Sequence, residues 1–534
     1  MRRWNGWGDD AIEVHPSPSL RALLEAAVGP GAPARDVTFA EVCQAVPPSR
    51  LPAHALVDTD APTRGRHARG QSLPDLIALR AGRGLVFPDG VAQPADDGEV
   101  AAILDFARER EITVIPYGGG TSVVGHINPV PGRAPILTVS LARLGGLRRF
   151  DAESRLATFG AGAPGPEIED RLRPLGHTLG HFPQSFEHST LGGWIATRSS
   201  GQQSRGYGRI EDLFAGGTVL TPAGALRLPP FPASAAGPDL RHLALGSEGR
   251  LGILTEAVVR VSPLPEVEQF DGVFFAGWAA ALEGCRKLAQ SGLPISMLRV
   301  STPAETVTHM AMGGRSRAAR AMDMVLRLRR VAEGKCLAIL GVSGTAKHAK
   351  ATRAAALHVL RGHGGIRMGA MGAAWRRSRF RTPYLRNTLW EMGYAVDTVE
   401  TATPWSTVAR TLTGIENALR DGIAARGERV HVFTHLSHLY PTGASIYTTF
   451  VFRAGAGPED ALERWRLLKA AATEALQREG ATISHQHGVG ADHAPYLAAE
   501  KGPLGMRALE RALATFDPDG RMNPGKLVGR REDA

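Results

Sequence analysis

Cysteine, aromatic side chains and long apolar runs are all scarce in this chain of 534 residues. Its three cysteines, Cys43, Cys285 and Cys336, are far apart in the sequence and form no metal-binding or redox motif, so a disulfide-built secreted protein is not expected. No apolar run approaches the roughly 18 residues that a membrane-spanning helix needs. The first residues contain no apolar segment of the secretory type, and residues 530–534 match no targeting motif. We therefore expect a cytoplasmic protein.

The net charge of +10 is carried mostly by arginines that are spread along the chain, and aromatic residues make up only 6% of it. A nucleic-acid-binding protein usually gathers such charge into one stripe with aromatic residues between, so no nucleic-acid partner is expected. Residues 315–330 are the densest basic stretch and predict a basic amphipathic helix. Two interpretations of that helix stay open: a solvated face, or peripheral contact with an anionic membrane surface or an acidic lipid.

Apolar residues make up 43% of the chain, which is enough for a large core, and the length requires more than one packed unit. Strand-like runs alternate with glycine turns up to Pro263, whereas strand-like and helical runs are mixed after it. Helix-spaced apolar residues predict one helix near Leu20–Val28 and another that starts at Asp96–Glu99 and continues with Val100, Ile103, Leu104 and Ala107. We predict an α+β fold in which the later strands form an antiparallel sheet covered by helices. The predicted segments are a mostly helical or irregular N-terminal part, two central domains and a helical C-terminal part, with the bounds 1–85, 86–265, 266–470 and 471–534.

A run of small residues, Gly118-Gly-Gly-Thr-Ser122, follows directly after the short predicted strand Ile112–Ile115. Glycines let the backbone come close to a ligand, and consecutive exposed N–H groups form a concavity that binds anions. Thr121 and Ser122 add hydroxyl donors, so the run suits a pyrophosphate. It matches neither of the two common phosphate loops, because no Lys-Ser/Thr pair follows and the G-x-G-x-x-G spacing fails at Val123. A plain tight turn is the alternative explanation of the three glycines.

Two further polar, glycine-rich blocks strengthen the first interpretation. Residues 184–201 combine hydroxyls and glycines around Trp194, and residues 246–252 offer another backbone that a ligand can approach closely. Such blocks make poor core strands, but they suit the lining of a site for a long ligand with polar and flat parts.

Together the three blocks resemble the FAD-binding domain of the vanillyl-alcohol-oxidase superfamily, the p-cresol-methylhydroxylase (PCMH) type. The resemblance implies that FAD is the cofactor and that residues 86–265 form a PCMH-type FAD-binding domain. His126 is the only histidine near the first block and fits no flavin-tethering motif, so we expect FAD to be bound without a covalent bond. The residues that the resemblance assigns to FAD are Pro116, Tyr117, Gly118, Gly119, Gly120, Thr121, Ser122, Gln184, Ser185, Ser189, Thr190, Thr197, Arg198, Ser199, Ser200, Glu248, Gly249, Arg250, Leu251, Gly252, Ile253 and Leu254.

Five motifs outside these blocks are similar to those of the alkyldihydroxyacetone-phosphate synthase family, FAD enzymes that exchange an acyl for an alkyl group in ether-lipid synthesis. They are Trp4–Gly8, Tyr384–Asn387, Glu400–Trp405, Gly443–Tyr447 and Ser484–Gly490. The resemblance runs nearly end to end. It implies that the segment 266–470 is a cap domain that binds a phosphorylated three-carbon substrate, and that the C-terminal segment closes the FAD site.

The same resemblance assigns roles to residues in the second half of the chain. Arg386 stands where the family binds the substrate phosphate, a task that suits the two parallel hydrogen bonds of a guanidinium group. Tyr447 stands where the family has its acid/base tyrosine, and Arg299 matches an arginine that the family keeps near the flavin. On a strand, Tyr447 would share a face with the polar Ser445 and Thr449, and nearby cations would lower its pKa. The alternative is a core tyrosine with a satisfied hydroxyl.

His485 and His487 complete the predicted catalytic residues. One residue apart on a strand, they would face the same way, which is also a pattern of metal ligands. No carboxylate or cysteine motif supports a metal site, so none is predicted. Strand alternation alone suggests that His435 and His438 line the same cavity.

Two departures from the family keep a second function open. Gln486 replaces the middle one of three consecutive histidines, and glutamine cannot take up a proton at neutral pH. Residues 517–527 resemble instead the ending of FAD-linked hydroxy-acid dehydrogenases. The first prediction is exchange chemistry on an acyl-dihydroxyacetone-phosphate-like substrate, and the alternative is an FAD-linked oxidation of glycerol phosphate or a 2-hydroxy acid. The oligomeric state stays open, with a homodimer among the alternatives.

Overall fold

The structure, a computed structural model, describes residues 1–33, 35–314 and 317–529. The C-terminal residues 530–534 and the first two residues of the predicted basic helix lie outside the described residues. The helices are α1 (Pro18–Val28), α2 (Phe39–Gln44), α3 (Ala61–Arg66), α4 (Leu73–Ala81), α5 (Asp97–Glu109), α6 (Gly165–Leu172), α7 (Leu191–Thr197), α8 (Ser204–Tyr207), α9 (Ile210–Leu213), α10 (Arg241–Ala244), α11 (Trp278–Gln290), α12 (Pro303–Met312), α13 (Arg317–Leu328), α14 (Ala346–Gly362), α15 (Gly369–Ser378), α16 (Leu385–Glu391), α17 (Trp405–Asp421), α18 (Pro458–Arg478) and α19 (Leu497–Phe516). The strands are β1 (Val57–Asp58), β2 (Gly90–Ala92), β3 (Thr113–Tyr117), β4 (Ile136–Ser140), β5 (Leu147–Asp151), β6 (Leu156–Gly160), β7 (His177–Thr178), β8 (Phe214–Thr221), β9 (Gly224–Leu228), β10 (Ile253–Arg260), β11 (Ser262–Pro263), β12 (Val267–Phe275), β13 (Met297–Ser301), β14 (Cys336–Gly344), β15 (Ile366–Met368), β16 (Tyr394–Pro404), β17 (His431–Leu439) and β18 (Gly443–Arg453).

The chain divides into two compact units, and each of them is discontinuous in sequence. The seven-stranded unit comprises Met1–Ala34, Gln202–Tyr207 and Leu264–His485, and the glycine-loop unit comprises Arg35–Gly201, Gly208–Pro263 and Gln486–Ala534. Of the cuts predicted from the sequence, the one after residue 265 lies within two residues of the boundary after Pro263, whereas those after residues 85 and 470 fall inside the units. The difference arises because both ends of the chain pack onto cores that are built from distant parts of the sequence.

Helix α1 shows why the first residues belong to the seven-stranded unit. Ser17 caps the helix by accepting a hydrogen bond from the N–H of Leu20 at 3.1 Å, and Pro18 occupies the first helical position. The apolar residues Leu20, Leu24 and Val28 recur every fourth position and are buried in one core with residues of α16, β17 and β18. The helix predicted near residue 20 is thus confirmed, and its packing fixes the N-terminal segment in this unit.

The end of the chain joins the glycine-loop unit through backbone hydrogen bonds. The N–H of Val114 in β3 donates to the carbonyl oxygen of Arg521 at 3.0 Å, and the N–H of Asn523 donates to the carbonyl oxygen of Val114 at 2.8 Å. Met522, between them, is buried in the same core as Val114. The last residues therefore extend the packing around β3.

The glycine-loop unit contains a four-stranded sheet in the order β1-β2-β4-β3, a five-stranded antiparallel sheet in the order β5-β6-β10-β8-β9, and a pair of short strands, β11 and β7. The segment that leads into the glycine run follows the predicted pattern. Asp96 caps α5 by accepting the N–H of Glu99 at 2.9 Å. The predicted apolar positions Val100, Ile103 and Leu104 of α5 are buried, and β3 follows directly. Residues 118–122 therefore begin where a buried parallel strand ends.

The seven-stranded unit is built on a single sheet in the order β15-β12-β14-β13-β17-β18-β16, in which every neighbouring pair is antiparallel. Helices α11, α12, α14, α15, α17 and α18 pack against it. This confirms the predicted antiparallel sheet covered by helices. The register shifts between Leu436 and His438, so β17 carries a bulge opposite β18.

Helix α13 confirms the predicted basic helix over the part that is described. It exposes the apolar Met324 and Leu328 beside its arginines. No helix within the described ranges is long and apolar enough to cross a membrane. Neither interpretation of α13, a solvated face or contact with lipid, is tested by these observations, and both stay predictions.

Candidate functional site

The glycine run forms an open backbone concavity after β3. Within the described residues, none of the backbone N–H groups of Gly119–Ser122 donates a hydrogen bond. Gly120 has φ +61°, in the left-handed region that favours glycine. Consecutive N–H groups without protein partners are the arrangement that binds phosphate oxygens.

The glycines of this run are also required by packing within the protein. A methyl group at Gly119 would overlap the backbone carbonyl of His188, and one at Gly118 would overlap the hydroxyl of Thr190. We expected the glycines to make room for the ligand. The structure shows that they also let the first and second blocks lie against each other.

The second block is held together by its own hydroxyl groups. The indole Nε1–H of Trp194 donates to Ser189 Oγ at 2.7 Å, and Ser189 Oγ donates to the carbonyl oxygen of Ser185 at 2.9 Å. His181 Nε2 lies 2.8 Å from Ser199 Oγ. Ser200 differs from these residues, because its hydroxyl is buried without a hydrogen-bond partner among the described residues. A buried hydroxyl in that state suits a polar ligand group.

Glu248 connects the third block to the segment that follows His487. Its carboxylate accepts the N–H groups of Val489 and Gly490 at 2.5 and 2.8 Å, and it lies 3.2 Å from His126 Nε2. Burial opposes ionisation, but His126 and the two N–H groups outweigh it and lower the pKa of the Glu248 carboxyl. His126 Nδ1 lies 2.8 Å from Ser122 Oγ. The Nδ1 atom of His126 is thus hydrogen-bonded to Ser122, and its buried Nε2 atom faces the Glu248 carboxylate.

Not every residue that the resemblance assigns to FAD presents its side chain to open space. Leu251 and Ile253 are buried in the core, which leaves only their backbone groups for a ligand. The guanidinium group of Arg250 donates to the carbonyl oxygen of Met522 at 2.7 Å. The open glycine backbone, the orphaned Ser200 hydroxyl and the small residues around them fit a pyrophosphate-bearing cofactor such as FAD. The contacts of the individual residues with FAD stay a proposal.

Tyr447 lies in the seven-stranded unit between two polar residues of the neighbouring strands. On β18 it is directly opposite Glu400 of β16 and opposite His435 of β17. Its ring stacks on that of His435, with centroids 5.0 Å apart. Its electrostatic neighbours include Arg386, so the two residues expected to handle substrate lie in one region.

The expected lowering of the pKa of Tyr447 is wrong. Burial raises the pKa of Tyr447 to about 12, and the negative charges of Glu400 and Asp397 act in the same direction. A hydrogen bond with Thr398 and the charge of Arg386 oppose the shift without outweighing it. Tyr447 is therefore protonated at neutral pH.

Arg299 lies in a buried charge cluster beside Tyr447. Glu305, which is 2% exposed, accepts hydrogen bonds from Arg299 Nη2 at 3.1 Å and from His435 Nδ1 at 2.8 Å. Burial would raise the pKa of the Glu305 carboxyl, but His435 and Arg299 hold it well below its usual range. Burial and the charge of Arg299 lower the pKa of His435, so its imidazole is neutral and its Nδ1–H points at Glu305. Arg299 is thereby connected to Tyr447 through Glu305 and His435.

His485 is fixed by Glu400 and Tyr440. The carboxylate of Glu400 accepts the backbone N–H of His485 at 3.0 Å and the hydroxyl of Ser484 at 2.8 Å. The hydroxyl of Tyr440 lies 2.7 Å from His485 Nε2, and the rings of His438 and His485 are 5.1 Å apart. His438 therefore adjoins His485, whereas His435 adjoins Tyr447 on the other side of the bulge in β17.

The prediction that His485 and His487 share a strand face is wrong. Residues 482–490 form bends and turns, because Glu400 binds the backbone that a strand ladder would need. His485 closes the seven-stranded unit, whereas His487 belongs to the glycine-loop unit. Throughout the described ranges, no group of three or more His, Cys, Asp or Glu residues could hold a metal ion.

Sequence reasoning missed Glu305, Glu400 and Tyr440. Glu305 stands three residues after Thr302, a spacing that indicates a helix cap, and its N–H does bond to Thr302 Oγ1 at 3.4 Å. Its carboxylate, however, accepts hydrogen bonds from Arg299 and His435. Glu400 belongs to one of the family motifs, so the resemblance pointed to it without giving it a role.

Comparisons with known proteins identify the family and the fold of the chain. Residues 88–228 match the family described as "FAD binding domain", and residues 264–527 match "FAD linked oxidases, C-terminal domain". An alkyldihydroxyacetonephosphate synthase of Dictyostelium discoideum is 31% identical over 98% of this chain and 93% of that protein. A solved structure of an alkyldihydroxyacetonephosphate synthase has a TM-score of 0.83 at 27% identity and 98% coverage of both chains. The substrate-bound p-cresol methylhydroxylase, at 13% identity and a TM-score of 0.67 over 90% of this chain and 95% of that one, shares the fold.

The fold and the family matches define an FAD-dependent enzyme with a PCMH-type FAD-binding domain, as predicted, and with an FAD-linked-oxidase C-terminal domain. Its cofactor is FAD. Within that class, the chain belongs to the alkyldihydroxyacetonephosphate synthase family.

Proposed function

We propose that this enzyme acts on a phosphorylated three-carbon substrate of the acyl-dihydroxyacetone-phosphate type and exchanges its acyl group for an alkyl group. The observation that carries the proposal is that the charge of a cation, Arg386 of α16, acts on a protonated Tyr447 of β18 in the same unit. A guanidinium group binds phosphate through parallel hydrogen bonds, and a phenol of high pKa gives up its proton only to a strong base.

The remaining residues of the seven-stranded unit have supporting roles in this proposal. His485, held by Glu400 and Tyr440, is suited to exchange a proton with the acyl or alkyl oxygen. Arg299 and the neutral His435 hold Tyr447 in its orientation through the stacked rings. His487 keeps the catalytic role that the resemblance implies.

FAD supplies an electron-accepting isoalloxazine ring. The glycine-loop unit would bind its pyrophosphate through the N–H groups of Gly119–Ser122. We propose that FAD is held without a covalent bond, because His126 fits no tethering motif, its Nδ1 atom bonds to Ser122 and its Nε2 atom faces the Glu248 carboxylate. Acid precipitation should release all yellow colour into the supernatant. Colour that stays with the precipitate would contradict this.

The exchange reaction has a direct test. The purified, FAD-loaded enzyme should incorporate a labelled fatty alcohol into acyl-dihydroxyacetone phosphate and release the fatty acid, while the flavin absorbance is unchanged at the end of the reaction. Arg386→Ala should weaken binding of the phosphorylated substrate much more than that of its unphosphorylated analogue. Equal weakening would remove the phosphate role from Arg386.

Gln486 favours a second function, the oxidation of glycerol phosphate or a 2-hydroxy acid. An amide in place of an imidazole removes a proton-transfer group from the motif but leaves redox chemistry at the flavin intact. Anaerobic bleaching of the flavin by glycerol 3-phosphate or lactate alone would support this function. Bleaching without any exchange would overturn the first proposal. The cytoplasmic location, membrane contact and a homodimer stay predictions.

A further inference from the structure

The motif Trp4–Gly8 is the part of the family resemblance that still lacks a role. It lies in the seven-stranded unit, against helix α16, which carries Arg386. The two segments are about 380 residues apart in sequence, and they meet through reciprocal hydrogen bonds.

Three residues around Arg386 bind the N-terminal segment. The N–H of Trp7 donates to Asn387 Oδ1 at 2.9 Å, and Asn387 Nδ2 donates to the carbonyl oxygen of Trp7 at 3.0 Å. The N–H of Asp9 donates to Tyr384 Oη at 3.3 Å. Trp7, Asn387 and Tyr384 are all buried, so separating the segments would leave buried polar groups without partners.

The two glycines of the motif are required for this fit. A methyl group at Gly6 would come within 2.5 Å of Asn387 Oδ1. Gly8 has φ +80°, and a methyl group there would overlap the ring of Tyr384. The backbone of the motif therefore touches the side chains of Asn387 and Tyr384 directly.

The N-terminal segment contacts the side of α16 opposite to Arg386. Tyr384, Asn387 and Thr388 are three and four positions apart and lie on one side of the helical turn, whereas Arg386 lies on another. Thr388 Oγ1 adds a hydrogen bond to the carbonyl oxygen of Val14 at 2.7 Å. A seven-residue helix is too short to be stable alone, so its orientation depends on what holds it.

We propose that residues 4–9 are the positioning element of the phosphate-binding arginine: they hold α16 so that Arg386 lies beside Tyr447. The inference rests on the proposed function, in which Arg386 binds the substrate phosphate. In this inference the N-terminal motif acts on substrate binding through its contacts with Tyr384 and Asn387, and it does not itself touch the substrate.

The test measures the binding of dihydroxyacetone phosphate to full-length, FAD-loaded enzyme by calorimetry. Gly6→Ala and Gly8→Ala should each raise the dissociation constant roughly 10- to 100-fold, because a displaced guanidinium group loses its paired hydrogen bonds. The control is Gly29→Ala, a position of similar backbone (φ +88°) whose new methyl group would lie 3.8 Å from its nearest neighbour. It should stay within about twofold of the wild type. Gly6, unlike Gly8, does not have a positive φ, so alanine at this position does not strain the backbone. The Gly6→Ala variant therefore still tests the inference if Gly8→Ala folds poorly.

The double variant Gly8→Ala/Arg386→Ala separates positioning from general damage. If the motif acts through Arg386, this variant binds dihydroxyacetone phosphate no more weakly than Arg386→Ala alone. A further loss in the double variant would overturn the inference. Wild-type binding by both glycine variants, with weak binding by Arg386→Ala, would overturn it and leave the phosphate site intact. Unchanged binding by Arg386→Ala would overturn the proposed phosphate site together with the inference.

Discussion

Tyr447, the proposed proton donor, keeps its proton at neutral pH, because burial raises its pKa to about 12. Tyr447→Phe should keep the fold and FAD but lower the exchange rate roughly 10²- to 10⁴-fold, since the proton donor is lost.

The unfolded chain would ionise the hydroxyl of Tyr447 near pH 10. The raised pKa of Tyr447 therefore adds to the free energy of unfolding in full below about pH 10, and this contribution is lost as the pH rises towards 12. The difference in absorbance at 295 nm between wild type and variant should show no tyrosinate below about pH 11. A signal near pH 10 would contradict the buried state of Tyr447.

We expect Glu400 to act on catalysis mainly by holding His485, in addition to the effect of its charge on the pKa of Tyr447. Glu400→Gln replaces an acceptor of the His485 N–H and the Ser484 hydroxyl by a group that also donates, so the turn that carries His485 should shift. We expect the exchange rate to fall at least about 10-fold at normal FAD content.

The control for this prediction is Glu428→Gln. Glu428 is a buried carboxylate of the same unit that pairs with Arg453 and Arg464, away from these residues. It should lower stability and leave the rate per folded enzyme unchanged. The double variant Glu400→Gln/His485→Ala should be as slow as His485→Ala alone, and an additive loss would show that Glu400 acts independently of His485.

Residue types and motifs identified many candidate residues but not their partners. Arg386, Tyr447 and His485 could be named from motifs. Their surroundings depend on strand register: Glu400 and His435 flank Tyr447 only because β16, β18 and β17 are neighbours in the sheet. A pKa raised by burial and by two carboxylates of a neighbouring strand cannot be read from the sequence around Tyr447.

At the scale of elements, capped and periodic helices were predictable, whereas bends made by side chains were not. Helices α1 and α5 have a capping residue and apolar positions at helical spacing, and both form as predicted. The segment around His485 alternates like a strand, but the carboxylate of Glu400 accepts the N–H of His485 and the hydroxyl of Ser484, and the segment forms bends instead. The bulge in β17 likewise places His435 and His438 beside different neighbours.

The contact between the glycine run and the second block gives a prediction at this scale. Gly119→Ala should raise the dissociation constant of FAD at least about 10-fold, because the methyl group would overlap the His188 carbonyl and force the two predicted FAD-binding segments apart. Flavin absorbance per protein during dialysis measures the loss. The control is Gly505→Ala in α19 of the same unit, where the new methyl group meets only the Lys501 side chain at 3.4 Å. Equal retention of FAD by both variants would contradict the role of this contact.

For the whole molecule, composition and length predicted the α+β class and more than one packed unit, but not which segments share a core. The assignment of both chain ends depends on tertiary contacts, such as those of Leu20 with β17 and of Met522 with β3. No local pattern distinguishes an apolar helix that packs on a neighbouring segment from one that packs on a strand 400 residues away.

The stability of the molecule should fall as the pH decreases from about 6.5 to about 4, because histidines of the seven-stranded unit resist protonation in the folded state. Burial, aided by the charge of Arg420, lowers the pKa of His431 to about 4, and burial likewise lowers the pKa of His309 to about 4. In the unfolded chain a histidine takes up its proton near pH 6.5, so the unfolded state binds more protons throughout this window and gains in relative stability as the pH falls. His431→Gln should keep a hydrogen bond to Thr308 and remove one such group, so its urea midpoint should fall less steeply between pH 6.5 and 4 than that of the wild type. The exposed His348→Gln is the control and should retain the wild-type slope. Parallel slopes for wild type and His431→Gln would show that His431 takes up its proton equally in the folded and unfolded chain, and the shift argued from its burial would then be wrong.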